Sequence, residues 1–359
     1  MELPQTDYYN IKVEKKVCAK DWDNLVRASV CGSFFALHEY FEAQKADVIF
    51  ITAYDSANKL AGGIAGRIRA SKFPANLIAK SVWVESGILT VSGNRAGGYI
   101  KKMMLEALEE EARRQKCVKI IFNHWCREDN CAVFVENGYE VLPNLTFITD
   151  LSVTEDELFS KLSKGHKSTV KKALKNKLHT EITNSPGKEL IDRFYKLYVS
   201  TGERAVNNHS NASMLLKNKD FLERLFNNIE LPCYLAAVHI DGGIAAAAIL
   251  VEHQNTISYF IGASDLELNR QFGASNLLIW ESILWAKQKG LRYFDYGGAP
   301  YNPSPENPAF GVYKFKKNFG GSRATFFMGQ KIISAGKSVL LDAFVKRRSL
   351  VRLFLNLGI

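Results

Sequence analysis

No Gly-x-Gly-x-x-Gly run, no Walker-type phosphate loop and no Gly-x-Ser-x-Gly elbow occurs in the 359 residues. Dinucleotide-binding, ATP-hydrolysing and serine-hydrolase chemistries therefore have no anchor. Cysteine is sparse, with six residues at 18, 31, 117, 126, 131 and 233 and no repeating framework. A chain of this length needs no disulfide staples, and a reducing cytoplasm is the expected setting. His124, Cys126 and Cys131 stand close in sequence, but their spacing lacks a fourth ligand at a usual zinc distance. No metal and no cofactor are expected on that basis. Residues 1–7 carry no basic stretch leading into an apolar one, so no signal peptide is expected. The apolar tail 350–359 is interrupted by Arg352 and is too short to span a bilayer.

What the chain does contain suffices for a large core. Hydrophobic residues make up 47% of it, and this length favours two domains over one. The formal charge is +10 and the isoelectric point near 9.1. That balance points to an anionic partner, whether nucleic acid, a nucleotide-linked substrate or an acidic lipid surface.

One unit is written twice. Residues 47–54 and 59–70 read as strands that meet near Ala61-Gly62-Gly63-Ile64-Ala65, and 234–240 and 244–252 meet at Asp241-Gly242-Gly243-Ile244-Ala245. A third strand follows in each half, at 81–90 and 256–263, and then a Gly-containing loop and a long helix. The helix at 96–115 gathers Ile100, Met103, Met104, Ala107 and Leu108 on one face. That at 274–289 turns Leu277, Leu278, Trp280, Leu284 and Trp285 inward. Strands at 118–123 and 292–296 close the two halves. This order, strand-strand-strand-helix-strand, resembles the core of the GNAT acyltransferase fold. The predicted class is α/β with two tandem GNAT-like domains: 1–155, then a basic interdomain helix at 156–180, a second domain at 181–332, and a basic amphipathic tail at 333–359.

Residues 161–177 hold seven lysines and no acid. Lys164, Lys167, Lys171 and Lys175 recur at three- and four-residue intervals, so a helix aligns them. The pattern suits a solvated connector or a helix that tracks a polyanion. Ser185-Pro186-Gly187 forms a turn, and 188–201 a helix that ends at Thr201-Gly202-Glu203-Arg204. The tail, with Lys346, Arg347, Arg348 and Arg352 among apolar residues, suits either an anionic membrane surface or its own domain.

The densest signal is Gly311-Val312-Tyr313-Lys314-Phe315-Lys316-Lys317-Asn318-Phe319-Gly320-Gly321. Three lysines in four positions repel one another unless an anion sits among them, while Tyr313, Phe315 and Phe319 are spaced to anchor the segment in a core. The stretch resembles the signature of the Fem family of peptidoglycan-bridge enzymes, Gly-Leu-Tyr-Arg-Phe-Lys-x-x-Phe-Gly-Gly. That resemblance implies transfer of an aminoacyl group from aminoacyl-tRNA to an amine of a nucleotide- or lipid-linked envelope precursor; the expected setting is the cytoplasm, with room for peripheral contact with the inner face of the membrane. Because the ester is already activated, positioning and positive charge matter more than a side-chain nucleophile.

By the same resemblance Lys316 is expected to face the carbonyl, with Lys314 and Lys317 beside it. Tyr259, before Gly262-Ala263-Ser264, matches a strand-borne tyrosine that orients substrate; the residues alone leave open a packed sheet aromatic. Asp295-Tyr296-Gly297-Gly298 resembles the family's Asp-Phe-Gly-Gly. There Asp295 is a candidate to take a proton or hold an ammonium, Tyr296 lines the substrate, and the glycines let backbone approach the acyl group. Arg204 matches the Arg of a Thr-x-x-Arg, a candidate partner for carboxylate or phosphate. Lys167 and Lys171 fall on the family's basic helix and are expected to contact the donor.

Two departures narrow this reading. Arg270-Gln271-Phe272-Gly273-Ala274-Ser275 only partly matches the acyl-CoA loop of GNAT enzymes, because Ser275 breaks the pattern. Val84-Glu85-Ser86-Gly87-Ile88-Leu89 stands where Fem enzymes carry Pro-Arg-Gly-Pro, so the acceptor need not be a muropeptide, and no acceptor residues are assigned there. The expectation is a Fem-like aminoacyltransferase. The rivals are an acyl-CoA-dependent N-acyltransferase acting on an amino sugar and a non-catalytic nucleic-acid-binding protein.

Overall fold

Two hairpins, each followed by a third strand and a helix, organise the chain, as the repeated pattern predicts. The structure, a computed structural model, describes residues 9–70, 80–91, 97–123, 131–207, 217–228, 231–240 and 243–336. The chain divides into two units, Met1–Pro143 with Phe326–Ile359, and Asn144–Thr325.

The first unit runs β1 (Asn10–Glu14), α1 (Ala19–Ala28), α2 (His38–Gln44), β2 (Val48–Tyr54), β3 (Leu60–Ala70), β4 (Lys80–Val84), β5 (Leu89–Thr90), α3 (Gly97–Arg114), β6 (Lys119–Asn123) and α4 (Ala132–Glu136). Its sheet is ordered β1-β2-β3-β4-β6, antiparallel except for the parallel pair β4–β6. Residues 328–332 return late in the chain to pair antiparallel with β6. Ile100, Met104, Leu105, Leu108 and Ala112 share one face of α3 and bury it in the core formed by Ile49, Ile51, Ile64 and Val82. The strand predicted at 81–90 is two pieces. Between them Glu85 leaves the ladder to accept hydrogen bonds from Arg67 and from Arg69 (3.0 Å), and Arg67 also bonds Gln44. A buried guanidinium requires such acceptors.

The second unit contains the C-terminal part of β7 (Glu140–Asp150), then α5 (Glu155–Lys161), α6 (Lys164–Lys175), β8 (His179–Thr183), α7 (Lys188–Asn207), α8 (Lys219–Asn227), β9 (Cys233–Ile240), β10 (Gly243–His253) and β11 (Thr256–Ser264). It continues through α9 (Leu266–Phe272), α10 (Ala274–Gln288), β12 (Tyr293–Asp295), α11 (Phe310–Lys317) and the start of β13 (Ser322–Ile332). The order β7-β12-β11-β10-β9-β8 repeats the plan of the first unit, with β11–β12 as its parallel pair. α10 is apolar on nearly every side, as a helix covered on two faces must be; it packs on β9 and β10 and also on α6. The basic segment predicted at 156–180 thus lies within this unit. His166, Val170 and Ala173 form its buried stripe. The helix expected to end at Thr201 runs to Asn207, because side-chain ties from Thr201 and Arg204 to Ser264 offset the modest cost of Gly202.

Among the described residues, no helix is long and apolar enough to cross a membrane. From residue 337 onward the predicted tail lies outside the described residues.

Candidate active site

Aromatic anchors decide which lysine of the 311–321 segment turns inward. Phe319 is buried, Tyr313 packs on Phe147 at 5.7 Å between ring centroids, and Phe315 meets Phe319 at 5.3 Å. That fixes the rotation of α11, so Lys316 is 9% exposed while Lys314 and Lys317 face solvent. The Lys316 Nζ donates to the carbonyl of Gly298 at 2.8 Å and lies 5.9 Å from the centroid of the Tyr259 ring. Burial pushes the ammonium down to about 8, with the Asp295 carboxylate opposing that shift.

Asp295 ends β12, and its Oδ1 accepts from the Thr146 hydroxyl and from the Gly297 amide at 2.8 Å. Thr146 also lies 3.0 Å from the Gly297 carbonyl. These bonds hold a turn that only glycine suits. Gly297 has φ +72°, and a Cβ there would fall 2.5 Å from the Tyr259 carbonyl oxygen. Opposite, the β10–β11 register slips between the pairs Ile249–Ile261 and Leu250–Tyr259, a bulge next to Tyr259. The Tyr259 ring then folds across Gly262, where a Cβ would sit 1.5 Å from the phenol oxygen. Burial pushes that phenol up to about 12, so it stays protonated and able to donate.

A buried cation with a backbone carbonyl for a partner, a carboxylate beside it and a neutral phenol opposite can stabilise negative charge developing on a carbonyl oxygen. Among the described residues, no group of three His, Cys, Asp or Glu is arranged to hold a metal. His124 and Cys126 lie outside them.

The family model described as an acetyltransferase (GNAT) domain matches residues 160–317, which span these elements from α6 to α11. A lipid II:glycine glycyltransferase of Staphylococcus haemolyticus (strain JCSC1435) is 20% identical over 76% of this chain and 85% of its own length. The crystal structure of FemX superposes with a TM-score of 0.67 at 15% identity, over 89% of this chain and 97% of that one. A tandem GNAT protein from the clavulanic acid biosynthesis pathway gives 0.58 at 10% identity, covering 90% and 99%. Residues 160–317 match a GNAT domain, and the chain as a whole resembles Fem-type transferases in sequence and fold.

Within this Fem-like unit the remaining predicted residues separate. Tyr296 belongs to the core rather than a substrate surface: it is 1% exposed, and its hydroxyl pairs with Thr149 Oγ1 at 2.8 Å. Arg204, expected to meet an anionic ligand, spends its guanidinium on Ser200 Oγ and Thr201 Oγ1, each at 3.0 Å, and on the Ser264 carbonyl, tying α7 to the end of β11. Lys171 is exposed with its Nζ 5.6 Å from the Phe159 ring, and Lys167 is half-buried one turn earlier. Gly298 contributes its carbonyl oxygen to Lys316.

The start of α10 bears on the acyl-CoA reading. A GNAT pyrophosphate cradle needs free amides at that helix start. Here the Ser275 amide donates to Asn269 Oδ1 at 2.8 Å. The Thr169 side chain of α6 lies where a Cβ on Gly273 would be, 2.2 Å from it.

Two contributors escaped the sequence: Thr146 and His166 carry no motif.

Proposed function

We propose that this Fem-like transferase moves an aminoacyl group from aminoacyl-tRNA to an amine of a lipid- or nucleotide-linked envelope precursor. The observation that carries this reading is Lys316: a lysine is buried, bonded to Gly298 and set beside Tyr259 and Asp295 with no nucleophile required. The neutral acceptor amine attacks the ester carbonyl. A C–N bond forms, the ester C–O bond breaks, the tRNA ribose oxygen departs, and the proton lost by the amine passes to that oxygen or to solvent. The Lys316 ammonium and the Tyr259 hydroxyl stabilise the oxyanion, and Asp295 keeps the ammonium charged. Exposed lysines of α6, with Lys314 and Lys317 of α11, meet the phosphates of the donor. The S. haemolyticus relative named for lipid II and glycine supports an acceptor of that class and glycine as the first amino acid to try.

The acetyltransferase description of the matching domain favours one rival, an acyl-CoA donor. The engaged amide of Ser275 and the packing of Thr169 on Gly273 weigh against it. Thermal protection and turnover with each donor separate the two. Glycyl-tRNA should raise the melting temperature and support transfer to lipid II, and acetyl-CoA should do neither. Saturable CoA binding with acyl transfer would replace this reading with the rival.

A further inference from the structure

His166 belongs to no motif, yet it is one of the few buried polar side chains of the second unit. It sits in the first turn of α6, where Ser163 caps the helix by accepting from the His166 amide. Its Nε2 lies 3.1 Å from the carbonyl oxygen of Phe315, the residue preceding Lys316. A carbonyl only accepts, so the ring must be the Nε2–H tautomer. The ring also meets Phe319 edge-on at 4.5 Å and Phe315 at 5.3 Å. Beside it the Ser163 amide donates to the Asn318 carbonyl at 2.9 Å. The start of the basic helix is thus fastened to the last turn of α11 by two hydrogen bonds and an aromatic cluster. Phe315 and Asn318 bracket Lys316. Its side chain reaches the Gly298 carbonyl only while that turn is held.

We propose that His166 is a positioning residue for the transfer step: through its Nε2–H to the Phe315 carbonyl it fixes the turn of α11 that presents Lys316. This rests on the reading that Lys316 acts on the acyl group. Acyl-transfer sites lose orders of magnitude when a charge moves by an ångström. Holding a turn differs from general packing in leaving donor affinity alone while changing turnover.

The test compares His166→Leu, which keeps bulk but loses the donor, with His166→Gln, which restores an N–H. With glycyl-tRNA and lipid II, His166→Leu is expected to lower kcat at least ~10-fold with KM for the charged tRNA within ~2-fold, and His166→Gln to recover to within ~3-fold. A readout independent of transfer is the pH midpoint for labelling Lys316 with a small amine-reactive reagent, followed by peptide mass spectrometry. It should rise by about one unit in His166→Leu, as the side chain becomes hydrated, and stay in place in His166→Gln. A folded His166→Leu protein with wild-type kcat and an unmoved midpoint overturns the proposal. Should the wild-type protein transfer nothing from glycyl-tRNA, the proposed function fails; the midpoint then decides His166 alone, a shift supporting its hold on Lys316 and no shift refuting it. Should His166→Leu not fold, imidazole 15N shifts in the wild-type protein decide: an Nε2–H ring upholds the bond to Phe315, and an Nδ1–H ring breaks it.

Discussion

Lys316 combines two demands that oppose one another, since burial penalises its charge while the proposed chemistry needs it. Its folded pKa stands near 8 against an ordinary 10.5. The unfolded chain therefore binds more protons between those values, so stability rises with pH across that window, and below about pH 8 the full burial cost is present. Replacing Lys316 with Met removes the charge at nearly constant length. At pH 7 the variant should be more stable than wild type by ~1 kcal/mol or more, with the advantage shrinking toward pH 10, while transfer falls ~100-fold. Urea melts at the two pH values check the first part and turnover the second. The same logic fixes a pH profile. If the ammonium form is required, transfer declines as pH climbs through about 8. Asp295 opposes the downward shift, so Asp295→Asn should move that alkaline limb to lower pH. A limb moving upward would remove Asp295 from this role.

At the scale of elements, the β11 bulge places the phenol. Gly262→Ala would set a methyl on the Tyr259 hydroxyl, and the flexible end of that ring must yield. The expected result is a folded protein with transfer reduced ~10-fold or more, because a displaced donor no longer meets the oxyanion. Tyr259→Phe with unchanged turnover would make the ring a packing group only. Periodicity revealed both hairpins, the helices α3 and α10 and the strands β6 and β12, because each is long and covered on a known face. The split of the third strand into β4 and β5 was hidden, since it follows from Arg67 and Arg69 reaching Glu85 across the sheet. Lys316 was legible from the order of aromatics and lysines around it. Thr146 was not, because its partners Asp295 and Gly297 lie some 150 residues away, at separations of 149 and 151. Tyr296 shows the same limit: an aromatic beside two glycines reads as a site residue until Thr149 is seen to occupy its hydroxyl.

At the scale of the whole molecule, a net charge of +10 should draw a polyanion at long range and make its binding sensitive to salt. The α6 lysines are the most concentrated source. Substituting Lys167, Lys171 and Lys175 with Gln should weaken charged-tRNA binding and reduce the magnitude of the log K against log salt slope by about two. An unchanged slope would make α6 a solvated connector whose business is only to brace α11. The most direct test is the mass of the acceptor. Lipid II incubated with glycyl-tRNA and the wild-type protein should gain one glycyl residue on an amine, and the same incubation with folded Lys316→Met should leave it nearly unaltered. An unmodified acceptor in the wild-type reaction, or an acyl group gained from acyl-CoA instead, would contradict aminoacyl transfer at Lys316.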